Sequence, residues 1–123
     1  YVRGAAYRDT QGAYVETNKL LELKNPPTCI LYPDDFACYG GMNAINMRGM
    51  CVPDDVSVVG YDGIRITRHL EPKLTTLKQD TKQLGMYAAK KVISLIENPK
   101  VTLIDQTVVP GQIFEGNSVA EIG

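Results

Sequence analysis

Val56-Ser57-Val58-Val59-Gly60, followed by Tyr61-Asp62-Gly63, is the stretch on which the fold turns. Its apolar residues come as a run rather than in alternation. A half-exposed strand alternates apolar and polar side chains, whereas a strand covered on both faces does not. Val56–Gly60 therefore reads as a buried strand of a parallel sheet. The turn-forming Asp62-Gly63 pair sits just beyond its carboxyl end.

Working outward in both directions, helical and strand patterns alternate. Thr10 to Asn25 reads as a helix, capped by Asp9 or Thr10 and stopped by Pro26-Pro27. Cys29-Ile30-Leu31-Tyr32 is a short apolar run that fits a second buried strand. Asp35 to Arg48 reads as a helix with Asp35 at its N-cap and Gly49 just past its end. Residues 61–73 form a long connection. Leu74 to Leu77 reads as a third strand. Asp80 then caps a helix that runs through Glu97, with Gln83 placed for a capping box. Leu103 to Val109 reads as a last strand, broken by Pro110 and Gly111. Strands alternating with helices predict an α/β fold, a three-layer parallel sheet with helices on both faces.

The bulk properties narrow the function. The 123 residues suffice for a packed core, and 44% hydrophobic against 22% charged residues is ordinary globular composition. A net charge of -1 argues against a phosphate-neutralising face in this segment. No apolar run approaches a membrane span. Tyr1 is not a natural initiator, so the chain reads as a piece of a longer protein. The three cysteines, Cys29, Cys38 and Cys51, fit no metal spacing and read as reduced, buried thiols of a cytosolic protein. His69 has nothing around it to suggest a nucleophile site, and reads as a loop residue. No metal, cofactor or catalytic group is expected.

Ligands of open parallel sheets bind beyond the carboxyl ends of the strands. Three polar groups of residues fall there: Pro33-Asp34-Asp35, Tyr61-Asp62-Gly63 and Lys78-Gln79-Asp80. Carboxylates and a carboxamide suit the hydroxyls of a sugar or another polar ligand. Asp35 and Asp80 are also explained as helix caps, and Asp62-Gly63 as a turn. Gln79 has no equally good structural task. A phosphoacceptor receiver domain is a different reading of Asp34, Asp35, Asp62, Thr76 and Lys78, although the strand order suits it poorly. The helix from Asp35 to Arg48 is apolar over most of its girth, and Gly40-Gly41 would admit another backbone. Such a helix needs covering on two sides, one by the sheet and the other by a second subunit or by the rest of a larger domain.

Arg48-Gly49-Met50-Cys51-Val52-Pro53-Asp54-Asp55-Val56-Ser57-Val58-Val59-Gly60-Tyr61-Asp62 resembles the signature of lactose-repressor-type (LacI/GalR) transcription regulators. Leu74-Thr75-Thr76-Leu77-Lys78-Gln79 is similar to the next motif of that family. So is Pro27-Thr28 through Asp34-Asp35-Phe36-Ala37 with Gly40. The resemblance covers roughly residues 7–119.

It implies a two-lobed, periplasmic-binding-protein-like effector domain. Residues 1–78 would lie in the C-terminal lobe, 79–109 in the N-terminal lobe, and 110–123 back in the first. Position by position it implies Tyr7 as a ring that stacks on the effector, with Asp34, Asp62, Gln79 and Thr81 as further ligand contacts. It implies Tyr39, Met42 and Leu70 at a homodimer interface. Operator DNA would be read by an N-terminal helix-turn-helix outside this chain. The expected function is effector sensing by a cytoplasmic regulator that responds to a carbohydrate. A periplasmic sugar-binding protein of a transport system is the alternative on the same fold.

Overall fold

A computed structural model describes residues 1–4, 6–100 and 105–121. Its elements in chain order are α1 (Thr10–Leu21), β1 (Cys29–Leu31), α2 (Asp35–Met47), β2 (Ser57–Asp62), a 3-10 turn (Arg65–His69), β3 (Thr75–Lys78), α3 (Thr81–Glu97) and β4 (Gln112–Phe114). The strands form one sheet in the order β1-β2-β3-β4. Both described pairings are parallel, with Ile30 opposite Val58 and Gly60 opposite Thr76. The expected α/β class is what the chain adopts. Two compact units divide it: Tyr1–Lys78 with Ile113–Gly123, and Gln79–Gln112.

In the first unit the core is built from α1, α2 and the inner face of the sheet. Ile45, Val56, Val58 and Leu74 are fully buried, together with Ala37 and Cys38. Helix α2 packs on β2 and on α1. The close approach of α1 depends on two adjacent glycines. A Cβ on Gly40 would run into the Thr10 carbonyl, and one on Gly41 into the Tyr32 phenol. Tyr32 in turn shares a buried hydrogen bond of 2.8 Å with Thr17 of α1. Burial pushes the Tyr32 hydroxyl far above its ordinary value, so it remains a neutral hydrogen-bonding group. The second cover of α2 is thus α1 of the same chain, the within-domain alternative of the two that the sequence left open. Met42 is buried within this core and not on an outer face.

Several boundaries differ from the sequence reading for local reasons. Helix α1 ends at Leu21, short of Asn25, where the residue preceding Pro26 is in any case disfavoured in helical geometry. Asp34, not Asp35, caps α2: its carboxylate accepts from the Ala37 amide at 2.9 Å. Strand β1 alternates, with Ile30 buried but Cys29 and Leu31 exposed. The thiols of Cys29 and Cys51 are exposed, and only Cys38 is buried as expected.

Beside the sheet, Ser118 holds the returning segment by donating to the Val58 carbonyl at 2.7 Å and accepting from the Thr75 amide at 2.9 Å. Asn117 accepts from the Lys73 amide at 2.6 Å.

Among the described residues the second unit holds one long helix, α3, and residues 105–111 without regular secondary structure. Asp80 caps α3 by accepting from the Gln83 amide at 2.9 Å. No residue of α3 is buried. Of the strand expected over Leu103–Val109, residues 103–104 lie outside those described. Residues 105–109 are not strand. An extended run becomes a strand only when a neighbouring backbone pairs with it, and the described part of this unit offers none. Among the described residues no helix is long and apolar enough to cross a membrane.

Candidate functional site

The polar residues beyond β1 and β2 meet at one end of the first unit. Strand β2 ends at Asp62, whose φ is 104°, and Gly63 follows at φ 68°. Positive φ is costly for a residue with a side chain and collects where the surroundings enforce it, often at functional sites. Glycine at 63 has a second reason, because a Cβ there would meet Lys78. The sharp exit places Asp62 at the carboxyl end of an interior strand, half-buried. It accepts a hydrogen bond of 3.1 Å from the Tyr7 hydroxyl. Tyr7 itself is 63% exposed, leaving ring surface free for stacking.

Asp34 and Asp35 hold this end together from within. Asp34 is 0% exposed. One of its oxygens caps α2, and the other accepts from the Arg8 amide at 2.8 Å. Both oxygens are therefore occupied by main-chain donors, and a direct role in gripping a ligand is not what this geometry provides. Asp34 thus fixes the chain at Arg8, itself at φ 59°.

Asp35 lies deeper. Its oxygens accept from Thr76 Oγ1 at 2.7 Å and from the Ile64 amide at 2.8 Å. Burial raises its carboxyl above the ordinary carboxylate value, opposed by these hydrogen bonds, while Asp62 nearby pushes the same way as burial. It thus ties the start of α2 to β3 and to the backbone just beyond Asp62. Sequence reasoning took Asp35 for the cap and missed this tie. In an Asp-Asp pair the capping residue cannot be chosen without knowing where the helix begins.

Arg8 is the residue that the sequence reading passed over. Its guanidinium lies 5.3 Å from the ring centres of both Tyr7 and Phe36. Only its place next to Tyr7 could have flagged it.

Gln79 and Thr81 belong to the second unit. Gln79 is half-buried, directly before the cap of α3, and Thr81 is the exposed first residue of that helix. Of the dimer candidates, Tyr39 is 51% exposed and Leu70 is half-buried against the core. A concavity of about 780 Å³ lies elsewhere, along the edge strand β1 between Leu20, Pro27, Leu31 and Tyr61. Tyr7, Asp34 and Asp62 do not line it. Its lining is apolar with few polar groups, so we place the site by its chemistry and not by the size of the hollow.

An open parallel sheet with polar residues converging beyond its strand ends defines a small-molecule-binding domain. The model of the periplasmic binding protein-like domain family matches residues 1–119. The chain belongs to that family, as an effector domain of the lactose-repressor type.

The chain is 37% identical over 92 residues to the Bacillus subtilis protein named "Probable HTH-type transcriptional repressor ExuR", covering 75% of this chain and 28% of that protein. A LacI family transcriptional regulator from Enterococcus faecium, solved with bound ribose, superposes with a TM-score of 0.82 at 28% identity. That match covers 93% of this chain and 41% of the other. The lac repressor dimer bound to operator and the anti-inducer ONPF superposes equally well, again at 0.82 and 28%, over 91% of this chain and 38% of the other.

The chain spans between 24% and 30% of the curated relatives it matches. These relatives are transcriptional repressors, not enzymes, and the receiver-domain reading gives way to this family.

Proposed function

We propose that this chain is the ligand-sensing and dimerising part of a cytoplasmic transcription regulator that responds to a sugar. The observation that carries the reading is the Tyr7–Asp62 pair: a largely exposed ring and the carboxylate of a residue at positive φ, hydrogen-bonded to each other at a strand's carboxyl end. The ring face suits the apolar side of a pyranose or furanose, and the carboxylate accepts from its hydroxyls. The ribose bound to the Enterococcus faecium relative supports the same ligand class.

Gln79 and Thr81 are further effector contacts in this reading. Tyr39 and Leu70 lie at a two-fold interface with a second copy. Effector binding closes the two lobes and shifts the population between operator-binding and released states. Operator DNA is read by a separate DNA-binding domain of the full-length protein.

Titration of the full-length regulator with a panel of sugars by calorimetry tests the site. Asp62→Ala is expected to weaken the best ligand by more than about tenfold, or 1.4 kcal/mol. An unchanged isotherm would remove Asp62 from the site.

A further inference from the structure

We propose that Arg8 is an anion-recognising residue of the effector site and that the effector is therefore a sugar carrying an acidic group. The inference rests on the sensor reading above and specifies its ligand.

Three features fix Arg8 in place. Its amide donates to the buried Asp34 carboxylate at 2.8 Å. Its backbone takes a positive φ of 59°. Its guanidinium lies against two rings, Tyr7 and Phe36, each at 5.3 Å. Tyr7 is the same residue whose hydroxyl holds Asp62. Arg8, Tyr7 and Asp62 thus follow one another across a single surface.

The charge on this surface is unevenly spent. Asp9 caps α1 by accepting from the Gly12 amide at 2.7 Å. Asp34 is taken up by two amides, and Asp35 by Thr76 and the Ile64 amide. Among the described residues no carboxylate stands within ion-pair distance of the Arg8 guanidinium. Rings cover the face of a guanidinium and leave its edge, with its N–H donors, for a partner. A planar fork of donors at a fixed position matches a carboxylate or phosphate bidentately. Asp62, on the other side of Tyr7 in this row, offers only acceptors when ionised, which suit hydroxyls and repel a second anion. The two ends of the row thus orient a polyhydroxylated acid: its anionic group at Arg8, its hydroxyls at Asp62, its ring on Tyr7.

The test uses the full-length regulator and matched ligands. Galacturonate is paired with galactose, and glucose 6-phosphate with glucose, each titrated by calorimetry against the parent protein and against Arg8→Gln and Arg8→Lys. Arg8 is exposed, and the hydrogen bond that its backbone N–H donates to Asp34 survives substitution, so both variants are expected to keep the parent's melting temperature.

The proposal expects one acidic sugar to bind more tightly than its neutral partner. Which pair shows the preference separates a carboxylate from a phosphate. Arg8→Gln should weaken that acidic ligand by about ten- to a hundredfold and change the neutral one by less than about threefold. Arg8→Lys should fall between, because it keeps the charge without the fork. Raising the salt concentration should weaken binding to the parent more than to Arg8→Gln.

Neutral sugars binding at least as well as their acids, with Arg8→Gln indistinguishable from the parent, would overturn the proposal and leave the sensor reading intact. No binding by any of the four would overturn both. A lowered melting temperature in Arg8→Gln with unchanged ligand preference would reduce Arg8 to a cover over Phe36 and also overturn it.

Discussion

Helices α2 and α3 of this chain are opposites in how they are held. Of the 13 residues of α2, eight are buried, and the exposed ones, Phe36, Tyr39, Asn43, Asn46 and Met47, fall in one stripe. Of the 17 residues of α3, none is buried. Yet α3 has the clearer amphipathic pattern, with Leu84, Ala88, Val92, Leu95 and Ile96 at helical spacing. The pattern tells which face wants cover; it does not supply the cover. Helix α2 finds it in α1 and the sheet, through the glycines at 40 and 41. The described residues of the second unit provide α3 with no comparable layer. Stability in this chain is therefore concentrated in the first unit, where the Tyr7–Asp62 pair also sits.

Matched truncations test this contrast most severely. Ile45→Ala in α2 is expected to cost about 2–5 kcal/mol, the usual range for emptying a packed core position. Ile96→Ala in α3 removes a side chain that is 74% exposed and is expected to cost less than about 0.5 kcal/mol. Urea unfolding of the 123-residue chain measures both. Equal costs would mean that α3 is packed as firmly as α2.

Much of this was readable in advance, and the failures share a cause. Strands β1 to β3 and the caps Asp9 and Asp80 follow from local composition. So does the parallel class, because apolar runs alternating with helices have few other solutions. What escaped depended on neighbours. The exposure of Cys29 and Leu31 reflects which face of β1 this chain covers, which a three-residue strand cannot announce. The strand expected near Val109 lacks a partner backbone. Met42 looked like an interface residue because an apolar helix was visible while the position of α1 against it was not. The candidate site was legible where a motif marked it, at Asp62. It was illegible where contacts between distant segments made it, at Arg8 on Phe36 and at Asp35 on Thr76.

The stripe on α2 gives the next-largest effect. Tyr39 stands out of a helix that is otherwise satisfied, so a charge there should disturb assembly and not folding. In the full-length regulator Tyr39→Asp is expected to lose about 2 kcal/mol or more of dimer stability. Light scattering should then find monomers at concentrations where the parent is dimeric, with effector binding retained. A dimer as tight as the parent's would make the stripe ordinary surface.

The smallest effect concerns the buried charge beneath the site. Burial lifts the folded-state pKa of Asp35 above its ordinary value of 3.8. As pH falls, the folded chain takes up this proton before the unfolded chain does. The contribution of Asp35 to stability therefore grows as pH drops through the folded pKa, and is complete below 3.8. Measured against Asp35→Asn, which does not titrate, the parent should gain stability between pH 7 and about pH 4. A difference that is flat, or that favours the variant as pH falls, would contradict the environment described for Asp35.

Amide hydrogen exchange of the full-length regulator, with and without its best sugar ligand, asks where the effector sits. The account predicts slower exchange on binding at Arg8 and at Gly63–Ile64, the amides beside Tyr7 and Asp62, with the change abolished in Asp62→Ala. Tight binding in calorimetry without any change at these amides would contradict it.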